Sequence, residues 1–366
     1  MRIVVKLGTS TLTASTNHIS APVLIELARQ VRVLQQAGHQ VIVVSSGAMA
    51  AGREKLGFPQ LPKAIPAKQM LSAIGQPRLM SLYEQLFGFY ELTVAQVLLT
   101  RADLGSRRAY LNARNTLLAL LDHSVIPVVN ENDTVATEEI RVGDNDNLSA
   151  LVANLVDADW LILLTDQPGL FTADPRSDPD AKLVEEIATA EIPERLWKAA
   201  GGKGTKLGTG GMVTKLQAAD LARRCGTTCL IANGSDPDVL IRLVVRGEKL
   251  GTRFLPVASA VESRKRYILS ARRAPGSLGV DEGAAKALRQ GGSLLPVGLD
   301  TVSGAFERGD TVRVLDPSGK EIARGIVNYP SRDLSQLTRR RSDEIESILG
   351  YNFGDEIIHR SNLVVL

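Results

Sequence analysis

Two lysines stand where a sequence would place them to hold a phosphate. Lys6 closes the short aliphatic run Ile3-Val4-Val5 and leads into Leu7-Gly8-Thr9-Ser10. A glycine lets backbone approach a ligand closely, and hydroxyls with free N–H groups accommodate anionic oxygens. The bland alternative is a surface lysine beside a turn. Lys215 follows Gly208-Thr209-Gly210-Gly211-Met212-Val213-Thr214, a glycine-rich stretch running into a helix-patterned segment. Exposed N–H groups, the positive end of a helix and a cation together make an anion site. The spacing is not Gly-x-x-x-x-Gly-Lys-Ser/Thr, and no Gly-x-Gly-x-x-Gly follows a strand, so neither a Walker loop nor a classical dinucleotide site is indicated.

Polar clusters follow other aliphatic runs. Asn130-Glu131-Asn132-Asp133 comes directly after Pro127-Val128-Val129. Such groups beside a buried strand need partners, which suggests a pocket for a polar small molecule; a solvated loop is the alternative. Gly143-Asp144-Asn145-Asp146-Asn147 opens an apolar-periodic helix with more capping residues than one helix start requires. The regular oxygen ligands and distal Glu of a calcium loop are absent there. Ser45-Ser46-Gly47-Ala48-Met49-Ala50-Ala51-Gly52 offers either room for a ligand or tight packing of small side chains. Thr165-Asp166 begins a loop rich in Pro, Gly and Asp that runs to Arg176.

None of the four histidines (18, 39, 123, 359) falls in these segments, and Cys225 and Cys229 are spaced as neither a redox nor a zinc pair. They read as buried or half-buried thiols. With no histidine base or reactive thiol in view, phosphoryl transfer to an already ionised nucleophile is the chemistry that fits, because it asks mainly for positioning and charge neutralisation.

The elements that must carry these residues are legible in outline. Aliphatic runs at 3–5, 41–44, 94–99, 125–129, 160–164 and 229–232 alternate with helix-spaced stretches at 23–36, 69–87, 109–122, 148–156 and 213–224. Short continuous apolar runs fit strands buried on both faces. The pattern is that of an α/β protein, a three-layer αβα sandwich with a mainly parallel central sheet, whose sites gather at the carboxyl ends of the strands. Near residue 260 the pattern changes. A charged stretch, a helix candidate at 281–289 and short alternating runs at 311–315 and 322–327 predict a smaller domain with a β-barrel-like core. The expected division is 1–258, a linker at 259–274, and 275–366.

Composition excludes other classes. The 366 residues are 44% hydrophobic and 23% charged, which is ordinary for a globular protein and rules out disordered, collagen-like and coiled-coil chains. The net charge of +3 arises entirely within residues 264–366, a weak footprint for nucleic acid even with Arg339-Arg340-Arg341 there. RNA is therefore not the expected partner, and a solvated basic helix face is the preferred reading of those arginines. No leader-like segment opens the sequence, and no apolar stretch reaches the ~18 residues of a membrane span, so the expected compartment is the cytoplasm.

Taken together, Val5–Ser10, Ser45–Gly52, Val129–Asp133, Val142–Ala150, Thr165–Arg176 and Gly208–Lys215 resemble, in order, the signatures of the glutamate 5-kinase family of the amino acid kinase superfamily, in the form with a C-terminal PUA domain. Phe171, where a Tyr is common, and Pro168 depart from the pattern. The resemblance implies phosphorylation of L-glutamate by ATP to L-glutamyl 5-phosphate, the first step of L-proline biosynthesis. It implies Lys6 and Lys215 on the transferred phosphoryl group, with Asp146 organising them. Ser46, Asp133 and Asn145 would bind glutamate, with Asn130 and Asp144 beside them. Lys6, Gly8, Thr165, Asp166, Thr209, Gly210, Gly211, Met212, Val213, Thr214 and Lys215 would bind ATP. It further implies Mg²⁺ with no evident protein ligand, inhibition by L-proline, a homo-oligomer (dimer or tetramer), and hand-off of the product to glutamate-5-semialdehyde dehydrogenase. A kinase for another small carboxylic or carbamic acid is the alternative.

Overall fold

A computed structural model describes residues 1–62, 64–136, 145–175, 177–201, 211–257 and 274–366, apart from the side chain of Arg107. The expected linker at 259–274 falls, but for its last residue, outside the described residues, as do Asp144, Thr209 and Gly210.

Six aliphatic runs become parallel strands of one sheet: β1 (Arg2–Leu7), β2 (Gln40–Ser45), β3 (Val94–Leu99), β4 (Ile126–Glu131), β5 (Trp160–Thr165) and, after β6 (Glu186–Ile187), β7 (Thr228–Asn233). With β8 (Thr252–Phe254) the order is β3-β4-β2-β1-β5-β7-β8-β6, and β8 runs antiparallel to β7. In β1, β2 and β5 every residue but the first is buried, as strands covered by helices on both faces require. β3 lies at the edge and is only partly buried.

The register aligns the strand ends. Leu7 pairs with Ser45 on one side and Leu164 on the other, Val44 pairs with Val129, and Thr165 with Asn233. Gly8, Ser46, Asn130 and Thr165 therefore emerge along one edge. β1 sits at the centre, with β2 and β4 to one side and β5 and β7 to the other. This is the reversal of strand order at which open α/β sheets form their crevice.

The helices before residue 260 include α1 (Ala21–Gln36), α2 (Ala48–Lys55), α3 (Ile65–Gly88), α4 (Arg107–Asp122), α5 (Asn145–Leu155), α6 (Met212–Arg224) and α7 (Val239–Val244). α3 starts four residues before the apolar spacing suggests, with a proline in its first turn, where the missing N–H costs nothing. α5 starts three residues early, at the Asp/Asn cluster itself. The small residues of the Ser45–Gly52 segment serve packing as well as the site. A Cβ on Gly52 would lie 2.0 Å from the Leu71 carbonyl oxygen, and one on Gly75 would lie 1.8 Å from the Ala48 carbonyl oxygen. α2 and α3 thus touch backbone to backbone.

The chain divides into two compact units, the second built mainly from residues after 260. There β9 (Gly276–Val280), β10 (Leu299–Gly304), β11 (Thr311–Leu315), β12 (Glu321–Ile326) and β13 (Leu363–Val365) form a five-stranded sheet in the order β10-β9-β11-β12-β13, and α8 (Glu282–Arg289) follows β9 in the chain. All pairings are antiparallel except β9 with β11. Asp281 caps α8 by accepting from the Ala284 N–H at 2.6 Å. The three consecutive arginines correct one expectation. They lie in a turn after the helix Ser331–Leu337, not on a helix face, and each is paired: Arg339 with Asp300, Arg340 with Glu344 and Arg341 with Asp343. No helix among the described residues is long and apolar enough to cross a membrane.

Candidate active site

A cavity of about 660 Å³ opens at the carboxyl edge of the first sheet. Lys6, at the end of β1, and Lys215, in the first turn of α6, both line it. Between them lies Asp146, in the first turn of α5 and fully buried. Lys6 Nζ is 2.6 Å from Asp146 Oδ1 and Lys215 Nζ is 3.2 Å from Oδ2. Thr214 donates its hydroxyl to Oδ2 at 2.6 Å. Burial alone would push the Asp146 carboxyl up, but the charges of Lys6 and Lys215 and the contacts of Lys6 and Thr214 override it and hold the carboxyl well below the ordinary range. Burial lowers the Lys215 ammonium, with Lys6 adding to the effect and Asp146 opposing it. The three side chains carry a net charge of one positive unit, screened little by water.

The opposite wall is built from neutral amides. Asn145 Nδ2 donates to Ser46 Oγ at 2.9 Å, to the Ser45 carbonyl at 3.1 Å and to Asn130 Oδ1 at 3.1 Å. Asn130 Oδ1 also accepts from the Glu131 N–H, and Asn130 Nδ2 donates to Gln76 Oε1 at 2.8 Å. Ser45, behind this wall, accepts from the buried Tyr83 hydroxyl at 2.9 Å. Asp133 lines the same cavity, and burial raises its carboxyl above the ordinary value.

Of the residues singled out in the sequence, Lys6, Gly8, Ser46, Asn130, Asp133, Asn145, Thr165, Asp166, Gly211, Met212 and Lys215 all line this cavity. Asp146 lies beneath it, holding both lysines. Val213 and Thr214 do not line it; Thr214 acts on Asp146 instead. Asp144, Thr209 and Gly210 lie outside the described residues. None of the four histidines lines it. Lys68, in the first turn of α3, is a cavity residue that sequence reasoning did not single out, Glu131 was read only as part of the polar cluster at 130–133, and Gln76 supports the wall from behind. A lysine or glutamine inside a long helix carries no local signal of such a role. A carboxylate fixed between two ammonium groups, beside a wall of hydrogen-bonding amides, suits a phosphate at one end and a polar amino-acid-sized molecule at the other.

Comparison with known proteins supports this picture. The family model described as "Amino acid kinase family" matches residues 1–233, and that described as "PUA domain" matches residues 276–349. The chain is 57% identical to the glutamate 5-kinase of Photobacterium profundum, over 365 residues that are all of this chain and 96% of that relative. It is 55% identical to that of Aliivibrio fischeri and 53% identical to that of Herpetosiphon aurantiacus, each alignment covering all of this chain and 98% of the relative.

Proposed function

Because the chain belongs to the amino acid kinase family, in its glutamate 5-kinase branch, we propose that it transfers the γ-phosphoryl group of ATP to the side-chain carboxylate of L-glutamate. The observation that carries the reading is the Lys6–Asp146–Lys215 cluster facing a wall of neutral acceptors and Asp133 across one cavity.

The glutamate side chain has an ordinary pKa of about 4.3, so it is already a carboxylate at neutral pH and needs no base to activate it. One of its oxygens forms a bond to the γ-phosphorus as the bond to the β,γ-bridging oxygen breaks, and the electron pair leaves on ADP. Negative charge shifts among the phosphoryl oxygens during this exchange. Lys6 and Lys215, held by Asp146, face it with N–H donors that are already oriented. The cluster's single excess positive charge favours anions without requiring any group to titrate.

Thr165, Asp166, Gly211 and Met212 are assigned to the nucleotide, and Ser46, Asn130, Asp133 and Asn145 to glutamate. The described residues contain no group of three His, Cys, Asp or Glu side chains that could cage a divalent cation. Asp146, the carboxylate between the two lysines, is engaged by both. The Mg²⁺ that usually accompanies ATP is placed here on the phosphates and water, and no step depends on it.

The same proposal includes a catalytic domain at 1–258, a linker at 259–274, a PUA domain at 275–366 and a cytoplasmic location. It also includes a homo-oligomer and delivery of the acyl phosphate to glutamate-5-semialdehyde dehydrogenase. Proline shares the α-amino carboxylate of glutamate, so its inhibition should weaken as glutamate rises. The direct test supplies ATP with glutamate, aspartate, N-acetylglutamate, carbamate or UMP and traps acyl phosphates with hydroxylamine. Hydroxamate formed from glutamate is the expected outcome; turnover of another acceptor in its place would overturn the assignment.

A further inference from the structure

Asn145 can use its side chain in only one orientation. Its Nδ2 faces three acceptors, Ser46 Oγ, the Ser45 carbonyl and Asn130 Oδ1. Turning the amide over would set Oδ1 against the Ser45 carbonyl and Asn130 Oδ1, which have no hydrogen to give. In the orientation present, Asn145 Oδ1 is buried and has no hydrogen-bond partner among the described residues. A buried acceptor without a partner costs free energy, so it is the three acceptors around Nδ2 that hold the amide in this orientation.

The orientation of Asn145 depends on that of Asn130, since an inverted Asn130 would point its own donors at Asn145 Nδ2. Two contacts fix Asn130. The Glu131 N–H donates to Oδ1 at 2.9 Å, and Nδ2 donates to Gln76 Oε1 at 2.8 Å. Gln76 does not line the cavity. It reaches Asn130 from α3, one residue after Gly75, where α3 lies against α2 with no room for a Cβ.

We infer that Gln76 is a positioning residue for the amino-acid substrate: through Asn130 it fixes the orientation of the Asn145 amide, and with it the wall of amides against which the substrate lies. This rests on the proposed reading of the cavity as a glutamate kinase site.

The test compares Gln76→Leu and Gln76→Glu in the full-length protein. Leucine removes the acceptor for Asn130 Nδ2; glutamate keeps it. For Gln76→Leu the KM for glutamate should rise about tenfold, the scale of one buried hydrogen-bonding group left unsatisfied, while kcat and the KM for ATP stay near those of the unaltered protein. Gln76→Glu should restore most of the glutamate KM. If Gln76 acts through Asn145, then adding Gln76→Leu to Asn145→Ala should cost nothing more.

Equal losses in the Leu and Glu variants, a fall in kcat without a change in glutamate KM, or full additivity with Asn145→Ala would each overturn the inference. If Gln76→Leu does not fold, Gln76→Glu decides alone, because loss of glutamate affinity in a folded protein that keeps the acceptor contradicts the assigned role. Failure of the underlying reading looks different: the unaltered protein would then yield no glutamyl hydroxamate.

Discussion

The two ends of the cavity are built on opposite electrostatic plans. At one end, charges of both signs are packed together and buried, Lys6 and Lys215 on either side of Asp146. At the other, neutral dipoles are chained, Gln76 to Asn130 to Asn145 to Ser46, beside the carboxylate of Asp133, whose ionisation burial makes harder. The first plan suits charge that moves during the reaction, because fixed ammonium groups gain most where negative charge develops. The second suits a ground state whose shape and donor pattern must be recognised. The contrast predicts that kcat belongs to one end and the KM for glutamate to the other.

The largest effect is expected at the charged end. Lys6→Ala and Lys215→Ala should each lower kcat by ~10²–10³, about 3–4 kcal/mol of lost transition-state stabilisation, with a much smaller change in glutamate KM. Steady-state kinetics on folded variants check this; a Lys215→Ala enzyme with near-normal kcat would reduce the Gly208–Lys215 segment to a helix start. Asp146→Ala should match them in kcat and also lose stability, by about 3–5 kcal/mol, since it leaves two buried cations without their counter-charge. Thermal melting against Asp146→Asn separates that charge loss from simple loss of volume.

The neutral end should answer to pH. Burial raises the Asp133 carboxyl, so it takes up a proton at a pH where an ordinary carboxylate is still ionised. Only the ionised form pairs with an ammonium, so glutamate affinity should fall on acidification as Asp133 takes up its proton. Asp133→Asn should weaken glutamate binding about tenfold at neutral pH and remove that acidic limb, measured as glutamate KM across the range at saturating ATP. Asp146 behaves in the opposite sense. Its carboxyl is held below its unfolded value, so its contribution to stability is complete above about pH 4 and is lost as pH falls toward its folded value. Acid should therefore impair recognition of glutamate before it loosens the charged cluster.

The smallest effect concerns the second unit. Every cavity residue named here lies before residue 258, so a chain truncated after Val257 should keep kcat within about twofold when it folds. A folded but inactive truncation would show that the second unit completes the site.

Much of the charged end was legible in the sequence. A lysine closing a β-branched run, and a lysine in a first helical turn behind glycines, are local patterns with local causes. The Asp/Asn cluster at 144–147 announces itself because helix starts need fewer capping groups than it supplies. The wall of amides was legible only as polarity after a strand. Which way the Asn145 amide is turned is decided by Asn130, and Asn130 by Gln76, 54 positions away in sequence. Pairings of that range leave no periodic trace. The parallel pairing of β9 with β11 escaped for the same reason, since alternation marks a strand but not its neighbour's direction. The arginines at 339–341 misled because a charge run records composition, not the aspartates and glutamates that fold back upon it.

The backbone contact between α2 and α3 has a consequence for how this protein can vary. In an isolated helix, alanine is favoured over glycine by about 1 kcal/mol, so drift should erode Gly52 and Gly75. Here each glycine faces a carbonyl oxygen within about 2 Å of where a methyl would stand: Gly52 that of Leu71, Gly75 that of Ala48. No neighbouring side chain can shrink to make room, because the obstacle is main chain. A saturation scan should therefore find two positions inside helices that accept nothing but glycine. Gln76 sits beside one of them, so its reach toward Asn130 is inherited from that intolerance: while the helices must touch at Gly75, the residue after it keeps its place.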